Sequence, residues 1–476
     1  MKRFSKVLFT FYFSLFTYLC SGQYNVLLYF NNNNGEFPFG GLTLSGNIMY
    51  GTTDGGGAQG ERYGNVFSIH TDGSGFKQLW VFTDTNDMEP SNLILVGKTL
   101  FGATIGGNYQ GYYGTIFSID SNGNNYKKLH VFNDTIGSQS NSLTYVSGKL
   151  YGTAWSGGLY NGGCIFSIDT NGNNYKDIYD FDGIHGSSSG STLVHIGNKL
   201  YGMTVYGGLY KAGIIFSIDT DGTEYKDLYD FSGPDGVEPF GSLTLSENRF
   251  YGMTVQGGAN NYGVIFSINI DGTGYKNLLD FNGLNGGEVF GTPTISGGTL
   301  YGLSQNYGKY GGGYGCLFSI DTNGTNYRDL FDFYGKYGFH PGDNIAVYGN
   351  LLLGMTEYDS VSYNNGFYQP GLIFSYNLYG AAGEDVLKGE SEGVKVYPNP
   401  SNGMFTIEVN SQQPVTNNHI EIYNVLGQQV YQSIINADNK EIDLSRQPQG
   451  IYLYRIVRII TETEELIGEG KVVVQR

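Results

Sequence analysis

The sequence predicts an all-β protein, a seven-bladed β-propeller closed by its own N-terminal strand and followed by a small immunoglobulin-like β-sandwich. Three observations lead there. A unit of about fifty residues recurs in tandem, the period range of solenoids, propellers and arrays. Each unit holds four short β-rich runs, the strand count of a propeller blade. The runs are also out of phase with the chain ends, an offset that a closed ring explains and an open stack does not need.

Each run is visible in turn. The first, here run a, is Leu42-Thr-Leu44, Leu93-Ile-Leu95, Leu143-Thr-Tyr145, Thr192-Leu-Val194, Leu243-Thr-Leu245, Pro293-Thr-Ile295 and Ile345-Ala-Val347. Run b carries an aromatic-Gly step at Tyr50-Gly51, Phe101-Gly102, Tyr151-Gly152, Tyr201-Gly202, Tyr251-Gly252 and Tyr301-Gly302, with Leu353-Gly354 in the seventh place. Run c is centred on Phe67, Phe117, Phe166, Phe216, Phe266, Phe318 and Phe374. Run d ends on Phe82, Phe132, Phe181, Phe231, Phe281 and Phe333, and its seventh copy stands alone at the front as Leu27-Leu-Tyr-Phe30. The chain thus opens on a d run and closes on a, b and c. Pairing of Asn25–Phe30 with Gly371–Tyr376 would complete the last blade and remove two sheet edges open to aggregation.

Ahead of the repeats, residues 1–22 combine a basic start (Lys2, Arg3, Lys6) with an apolar run from Val7 to Leu19 and small Ser21 and Gly22. This reads as a secretory signal peptide, its apolar part too short for a membrane span. A lipoprotein signal centred on Cys20 is disfavoured by the bulky Tyr18 and Leu19 before it. The expected divisions are the signal at 1–22, the propeller at 23–379, a polar linker at 380–393 and the sandwich at 394–476. No transmembrane segment is expected in the mature chain, which is read as a monomer.

Composition excludes several classes of partner. A formal net charge of −17 leaves nothing to attract nucleic acid or an anionic membrane. Cys164 and Cys316 hold the same place before run c in units three and six, nearly opposite in a seven-fold ring, and are read as buried thiols beyond disulfide reach. Six His show no metal-ligand spacing, and neither a Gly-x-Ser-x-Gly elbow nor a phosphate-binding Gly-rich loop is present. No cofactor is expected. Asp219-Thr-Asp221-Gly222 resembles the start of a calcium loop but lacks its later acidic ligands, so calcium is only a weak possibility and a hairpin fits better.

Turn chemistry fixes where function would sit. Asn-Gly and Asp-Gly pairs, as at Thr220-Asp-Gly222, make the c–d connections tight hairpins. The b–c and d–a connections are longer and fall together on the opposite face, where binding residues of a rigid scaffold usually lie. On the b–c side, Tyr109, Tyr160, Tyr210 and Tyr262 offer aromatic faces for sugar rings. On the d–a side, Glu36, Glu89, Glu238 and Glu288 stand at roughly corresponding places before run a and would ring a channel mouth, favouring a cation or amino sugar. The bland alternatives are tyrosines packed between blades and solvated glutamates. Asp180, Asp230, Asp280 and Asp332 recur before the Phe of run d and are read as structural. The last unit departs most from the others, with Phe339-His340-Pro341-Gly-Asp343 and the loop from Tyr358 to Asn365, and His340 joins the candidates there.

With these residues on the page, the repeats resemble the GloVer tandem repeat of choice-of-anchor bacterial surface proteins over about residues 24–380. That resemblance implies export and anchoring, with no activity to carry over. After the linker, Tyr397-Pro398-Asn399-Pro400, the Gly450-Ile-Tyr452 motif and the end from Lys471 to Arg476 resemble the type A sorting domain of the type IX secretion system. This second resemblance implies a Bacteroidetes-type bacterium, dealings with the type IX machinery, and attachment to surface glycolipid or release. The function read from the whole is a non-catalytic surface module binding glycan or a surface protein through its loop-rich face. The alternative is a secreted glycoside hydrolase or lyase using carboxylates on different blades.

Overall fold

The computed structural model describes residues 24–57, 63–84, 87–106, 113–133, 137–309, 314–359, 370–378, 394–399, 401–409, 418–424, 429–435, 439–460 and 463–474. The expected signal peptide, the 380–393 linker, Tyr109, Pro400 and most of the 358–365 loop lie outside these. The described residues form two compact units, one spanning Tyr24–Tyr376 and one within Asn377–Arg476. Both are all-β, and the first is propeller-like.

In the first unit the repeat becomes seven antiparallel sheets. Numbered along the chain, they begin with strands Thr43–Ser45, Pro90–Val96, Ser138–Val146, Val194–Ile196, Thr244–Ser246, Thr294–Ser296 and Ala346–Tyr348. The fourth shows the pattern: Val194–Ile196, Lys199–Thr204, Ile214–Asp219 and Lys226–Asp230, each paired with the next. In the seventh, Tyr24–Tyr29 takes the outer place, antiparallel to Leu372–Asn377 with Tyr24 opposite Tyr376 and Tyr29 opposite Leu372. The pairing expected between the chain's two ends is therefore present, with the strand starting one residue earlier, at Tyr24.

The sequence signatures are explained by one packing arrangement. The Phe of each third strand is fully buried, and the b-strand Gly opposite it gives it room. A Cβ on Gly202 would lie 2.6 Å from Phe216 Cζ and 2.8 Å from Leu193 Cδ2, and the equivalent glycines are as tight. The Phe ending each outer strand meets the core Phe of the following sheet edge-on, as in Phe82–Phe117 at 5.4 Å, Phe181–Phe216 at 5.5 Å and Phe231–Phe266 at 5.2 Å between centroids. From the sixth sheet to the seventh the pair is Phe333–Phe374 at 5.2 Å, and from the seventh to the first it is Phe30–Phe67 at 5.4 Å.

A second aromatic set reinforces the first. Tyr126, Tyr225 and Tyr275, each following a c–d hairpin, stack on Trp80, Tyr179 and Tyr229 of the preceding sheet at 4.1, 3.9 and 4.5 Å. Tyr24 fills this role in the seventh sheet, stacking on Phe331 at 4.0 Å. The N-terminal strand thus brings both halves of the repeat's aromatic clamp, Tyr24 and Phe30, at the same spacing as Tyr225 and Phe231.

Innermost strands are tied side to side by hydroxyls. Thr144 Oγ1 donates to the Leu193 carbonyl at 2.6 Å, Thr294 Oγ1 to Ile345 at 2.7 Å, and Thr192 N to Ser242 Oγ at 2.7 Å. Between the seventh and first sheets the Asp343 N–H donates to the Phe39 carbonyl at 3.2 Å.

The second unit has two sheets. One holds Val394–Tyr397, Met404–Val409 and Asn439–Asp443; the other holds Asn418–Asn424, Gln429–Ile435, Gly450–Ile460 and Thr463–Val474. A single core, including Phe405, Ile407, Ile420, Ile422, Tyr452 and Val472, is buried between them.

Because Phe30 and Phe231 fill equivalent places, Phe30→Ala and Phe231→Ala are each expected to cost about 3–5 kcal/mol, the usual range for a buried Phe. Thermal unfolding checks this. A Phe30→Ala chain melting like the parent while Phe231→Ala falls would show that the N-terminal strand is not part of the cooperative unit.

Candidate ligand-binding site

The d–a connections tie neighbouring sheets together, and they do so with backbone atoms. Phe37, Glu89, Ser188, Glu238, Glu288 and His340 all take left-handed backbone conformations, with φ between 50° and 57°. There the N–H turns to the b–c turn of the sheet before: Ser188 donates to Gly162, Glu238 to Ala212, Glu288 to Tyr262 and His340 to Tyr314, at 2.8 to 3.2 Å. The carbonyl accepts from the b strand of the sheet after, from Val205 to Ser188 and Val255 to Glu238, both at 3.1 Å. One residue thus staples two sheets through its main chain, and its side chain takes no part in the staple. This corrects the expected alignment: the counterpart of Glu89, Glu238 and Glu288 in the first sheet is Phe37, not Glu36. His340 belongs to the same series.

Among these connections lies a cavity of about 130 Å³. Its wall is uneven. Rings of Phe39, Phe240 and Phe290 with Ile105 and Leu303 supply apolar surface, and Asp54, Asn92, Gln305 and Asp343 supply polar groups. The aromatic side continues outward, with Phe240–Phe290 centroids at 5.5 Å, Trp155–Phe240 at 5.4 Å and Trp155–Tyr206 at 6.4 Å. A second space of about 270 Å³ shares Asn92, Thr192, Ser242 and Asp343 with the first and is also bordered by Ser142 and Thr292.

The acidic side is particular to the seventh, first and second sheets. Asp54 and Glu357 occupy the b-strand place filled by Ile105, Val205 and Val255 in other sheets, immediately after the Thr that ends the aromatic-Gly run. Burial first, and then the charges of Glu89 and Glu357, hold the Asp54 carboxyl well above the usual range. Burial likewise raises Glu89. Asp343 is also pushed up by burial, although Asn92 Nδ2 donates to its Oδ2 at 2.6 Å and opposes the shift. His340 Nδ1 stands 3.8 Å from Glu357 Oε2.

The remaining candidates are scattered. Tyr160 and Tyr210 are each 60 % exposed on b–c turns and do not line the cavity. Tyr262 is half-buried, packed edge-on to Tyr307 at 4.8 Å. Glu238 and Glu288 accept from Gln256 Nε2 and Asn306 Nδ2 at 3.2 and 2.6 Å. The recurring aspartates are turn acceptors: Asp180, Asp230, Asp280 and Asp332 take the N–H of Leu159, Leu209, Ala259 and Lys309 at 2.7 to 2.8 Å. In the calcium-like turn, Asp221 Oδ1 accepts from Thr223 N and Oγ1 at 2.9 and 2.6 Å, so the hairpin satisfies it internally. Among the described residues no group of three His, Cys, Asp or Glu is placed to hold a metal ion.

Two buried thiols sit beside carboxyl pairs. Neither Cys164 nor Cys316 is in a disulfide, and burial pushes each thiol far up. Nearby, burial and then the Asp180 charge raise Asp177 to about 7, and burial and then Asp332 raise Asp329 to about 7. Thiols raised so far are unreactive, and their recurrence beside a carboxyl pair in equivalent places of two sheets fits a packing motif of the repeat.

In the second unit the expected motif is anchored to the last strand. Asn399 Oδ1 accepts from Val473 N and the Ser401 N–H donates to the Val473 carbonyl, both at 2.8 Å. Tyr397 and Pro398 precede that anchor, and the Tyr397 ring is exposed. Gly450 opens its strand opposite Val474, and Lys471 lies opposite Leu453.

Comparison with known proteins agrees with this division. The model of the Gloeobacter/Verrucomicrobia repeat matches residues 11–208 and 189–369. That of the secretion system C-terminal sorting domain matches residues 395–469. No curated protein matches. Among solved structures, PorZ of Porphyromonas gingivalis, a surface component of the type IX secretion system, is 14% identical with a TM-score of 0.45, covering 95% of this chain and 61% of PorZ. The chain therefore spans about three-fifths of that protein's length. YCF48 from Cyanidioschyzon merolae is 10% identical, with 75% and 100% coverage and a TM-score of 0.49. An oligogalacturonate lyase from Vibrio parahaemolyticus is 10% identical, with 75% and 93% coverage and a TM-score of 0.47.

The carboxyl pairs give stability a defined pH dependence. A carboxyl whose folded pKa is raised binds its proton more tightly when folded, so its contribution is full below the unfolded value near 4 and is lost as pH rises through 7. With solvent screening of these half-exposed groups, roughly 1–2 kcal/mol each is at stake. Melting temperature is expected to fall between pH 5 and 7.5, and to fall less in the Asp177→Asn/Asp329→Asn double variant. Parallel profiles would show that the pairs do not titrate in this window.

Proposed function

The chain belongs to the Gloeobacter/Verrucomicrobia repeat family and carries a type IX secretion sorting domain, and from that premise we propose that it is a surface or secreted propeller that binds carbohydrate in its axial cavity without cleaving it. The sorting domain directs the chain to the cell surface or the extracellular space and engages the secretion machinery. We read the seven sheets as blades of one closed ring over residues 23–379, joined by a 380–393 linker to an immunoglobulin-like sorting domain at 394–476, with residues 1–22 as the export signal. Attachment to surface glycolipid and a monomeric mature form complete this reading.

The observation that carries the binding role is the composition of the cavity wall. Aromatic rings on one side and a few hydroxyl, amide and carboxyl groups on the other are what a sugar ring needs, one apolar face and directed polar partners. Against cleavage stands the state of the two carboxyls. A glycosidase needs one carboxyl as acid and another as base or nucleophile, and Asp343 here is oriented by the Asn92 amide toward the wall, so the cleaving reading is left to product analysis. The exposed Tyr160 and Tyr210, with Glu89, Glu238, Glu288 and His340 around the mouth, are proposed as outer contacts for a longer chain.

Calorimetry of the full chain against a panel of soluble polysaccharides, with product analysis of the same mixtures, tests this. Saturable heat without chain shortening is expected, and Phe240→Ala should weaken binding about tenfold or more, ~1.4 kcal/mol. New reducing ends or unsaturated products would replace the binder with a hydrolase or lyase.

A further inference from the structure

The two sides of the axial cavity differ in charge as well as polarity, and that difference narrows the ligand. Among its described lining residues are two carboxylates and no Lys, Arg or His. One of the two, Asp343, has the Asn92 amide as partner. The other, Asp54, is half-buried and makes no side-chain hydrogen bond among the described residues. The charged groups facing it are Glu89 from the second sheet and Glu357 from the seventh. The His340 imidazole stands against Glu357, with Nδ1 3.8 Å from Oε2. A half-buried carboxyl among like charges resists ionisation, and a bound group carrying several N–H donors and a positive charge offsets that repulsion.

Size and the opposite wall define the rest of the ligand. A cavity of about 130 Å³ is a little smaller than the ~150 Å³ of an engineered cavity that admits benzene, so it takes one edge of a single sugar residue rather than a length of chain. Phe240 and Phe290 offer apolar faces, and Thr192 and Ser242 offer hydroxyls to a hydroxylated ring. Resting on the carbohydrate reading above, we infer that the axial cavity selects sugars with a free amine, Asp54 receiving the ammonium while Phe240 and Phe290 hold the ring. A uronate would place like charge against Asp54, Glu89 and Glu357, and an N-acetyl sugar would leave Asp54 without its counter-charge. Pairing with an ammonium also favours the ionised form of the raised Asp54 carboxyl, so binding releases a proton.

The test is calorimetry of the full chain with glucosamine oligomers, their fully N-acetylated counterparts, oligogalacturonate and a lysine-rich peptide, in two buffers of different ionisation enthalpy. Glucosamine oligomers are expected to bind about tenfold or more tightly than the acetylated ones, as befits a charged hydrogen bond, with proton release and no uronate binding. Asp54→Asn should remove this discrimination, and Phe240→Ala should weaken binding of both kinds of oligomer about tenfold or more. Glu89→Gln, which keeps Asp54, should narrow the preference about two- to threefold. Equal binding of free-amine and acetylated oligomers, or undiminished preference in Asp54→Asn, would overturn the amine assignment and leave the carbohydrate reading standing. Binding of the peptide in place of every sugar, or of no sugar at all, would overturn both.

Discussion

Edge-on pairing of phenylalanines between neighbouring sheets is the contact on which the repeat region depends. A four-stranded sheet of this size cannot bury both its faces by itself, and here each borrows cover from the next. The Phe at the end of one outer strand meets the core Phe of the following sheet, a geometry worth about 0.5–1.5 kcal/mol beyond burial. Everything repeated in the sequence serves that meeting. The Gly of the aromatic-Gly step makes room for the core ring, and the Tyr after each hairpin clamps its flank. The interface between the seventh and first sheets uses the same pair, drawn from opposite ends of the chain.

On such a frame, the joins at the d–a connections are specified by main-chain bonds. At the stapling position the N–H serves one sheet and the carbonyl the other, so Phe, Glu, Ser and His all occur there in one chain. The scaffold is indifferent to which side chain stands over the cavity. An aromatic arc on one side and carboxylates on the other can therefore coexist with a near-regular repeat.

The fold was largely legible because its determinants are periodic. Counting Phe67 to Phe374 and noticing the lone Leu27–Phe30 run was enough to place the terminal strand against Leu372–Asn377. The role of Tyr24 was not, since one Tyr before a strand carries no signal until its stacking partner Phe331 is known. At the site, attention to recurring residues misled: Glu36 and Glu89 align by eye, but connections differing by one residue hide that Phe37 makes the equivalent bonds. The residues that shape the cavity are departures from the repeat. Asp54 and Glu357 stand where three units hold Ile or Val and two hold Trp155 and Gln305, a variation that the sequence reading passed over, whereas the divergent Phe339–Asp343 stretch that it did single out contributes Asp343. The tyrosines of the b–c turns were chosen for chemistry alone, and nothing in their spacing reports distance from the axis.

The strand that joins the two ends has a consequence for timing. Its partner lies roughly 350 residues further along the chain, so the sheet they share cannot assemble until nearly the whole repeat region has emerged. Contacts this remote in sequence form slowly. Until then Phe30 and Tyr24 have no place to go, and the first sheet lacks the ring that covers Phe67. The seventh sheet thus stays incomplete on its outer side until the segment around Leu372–Tyr376 is present to receive the first strand.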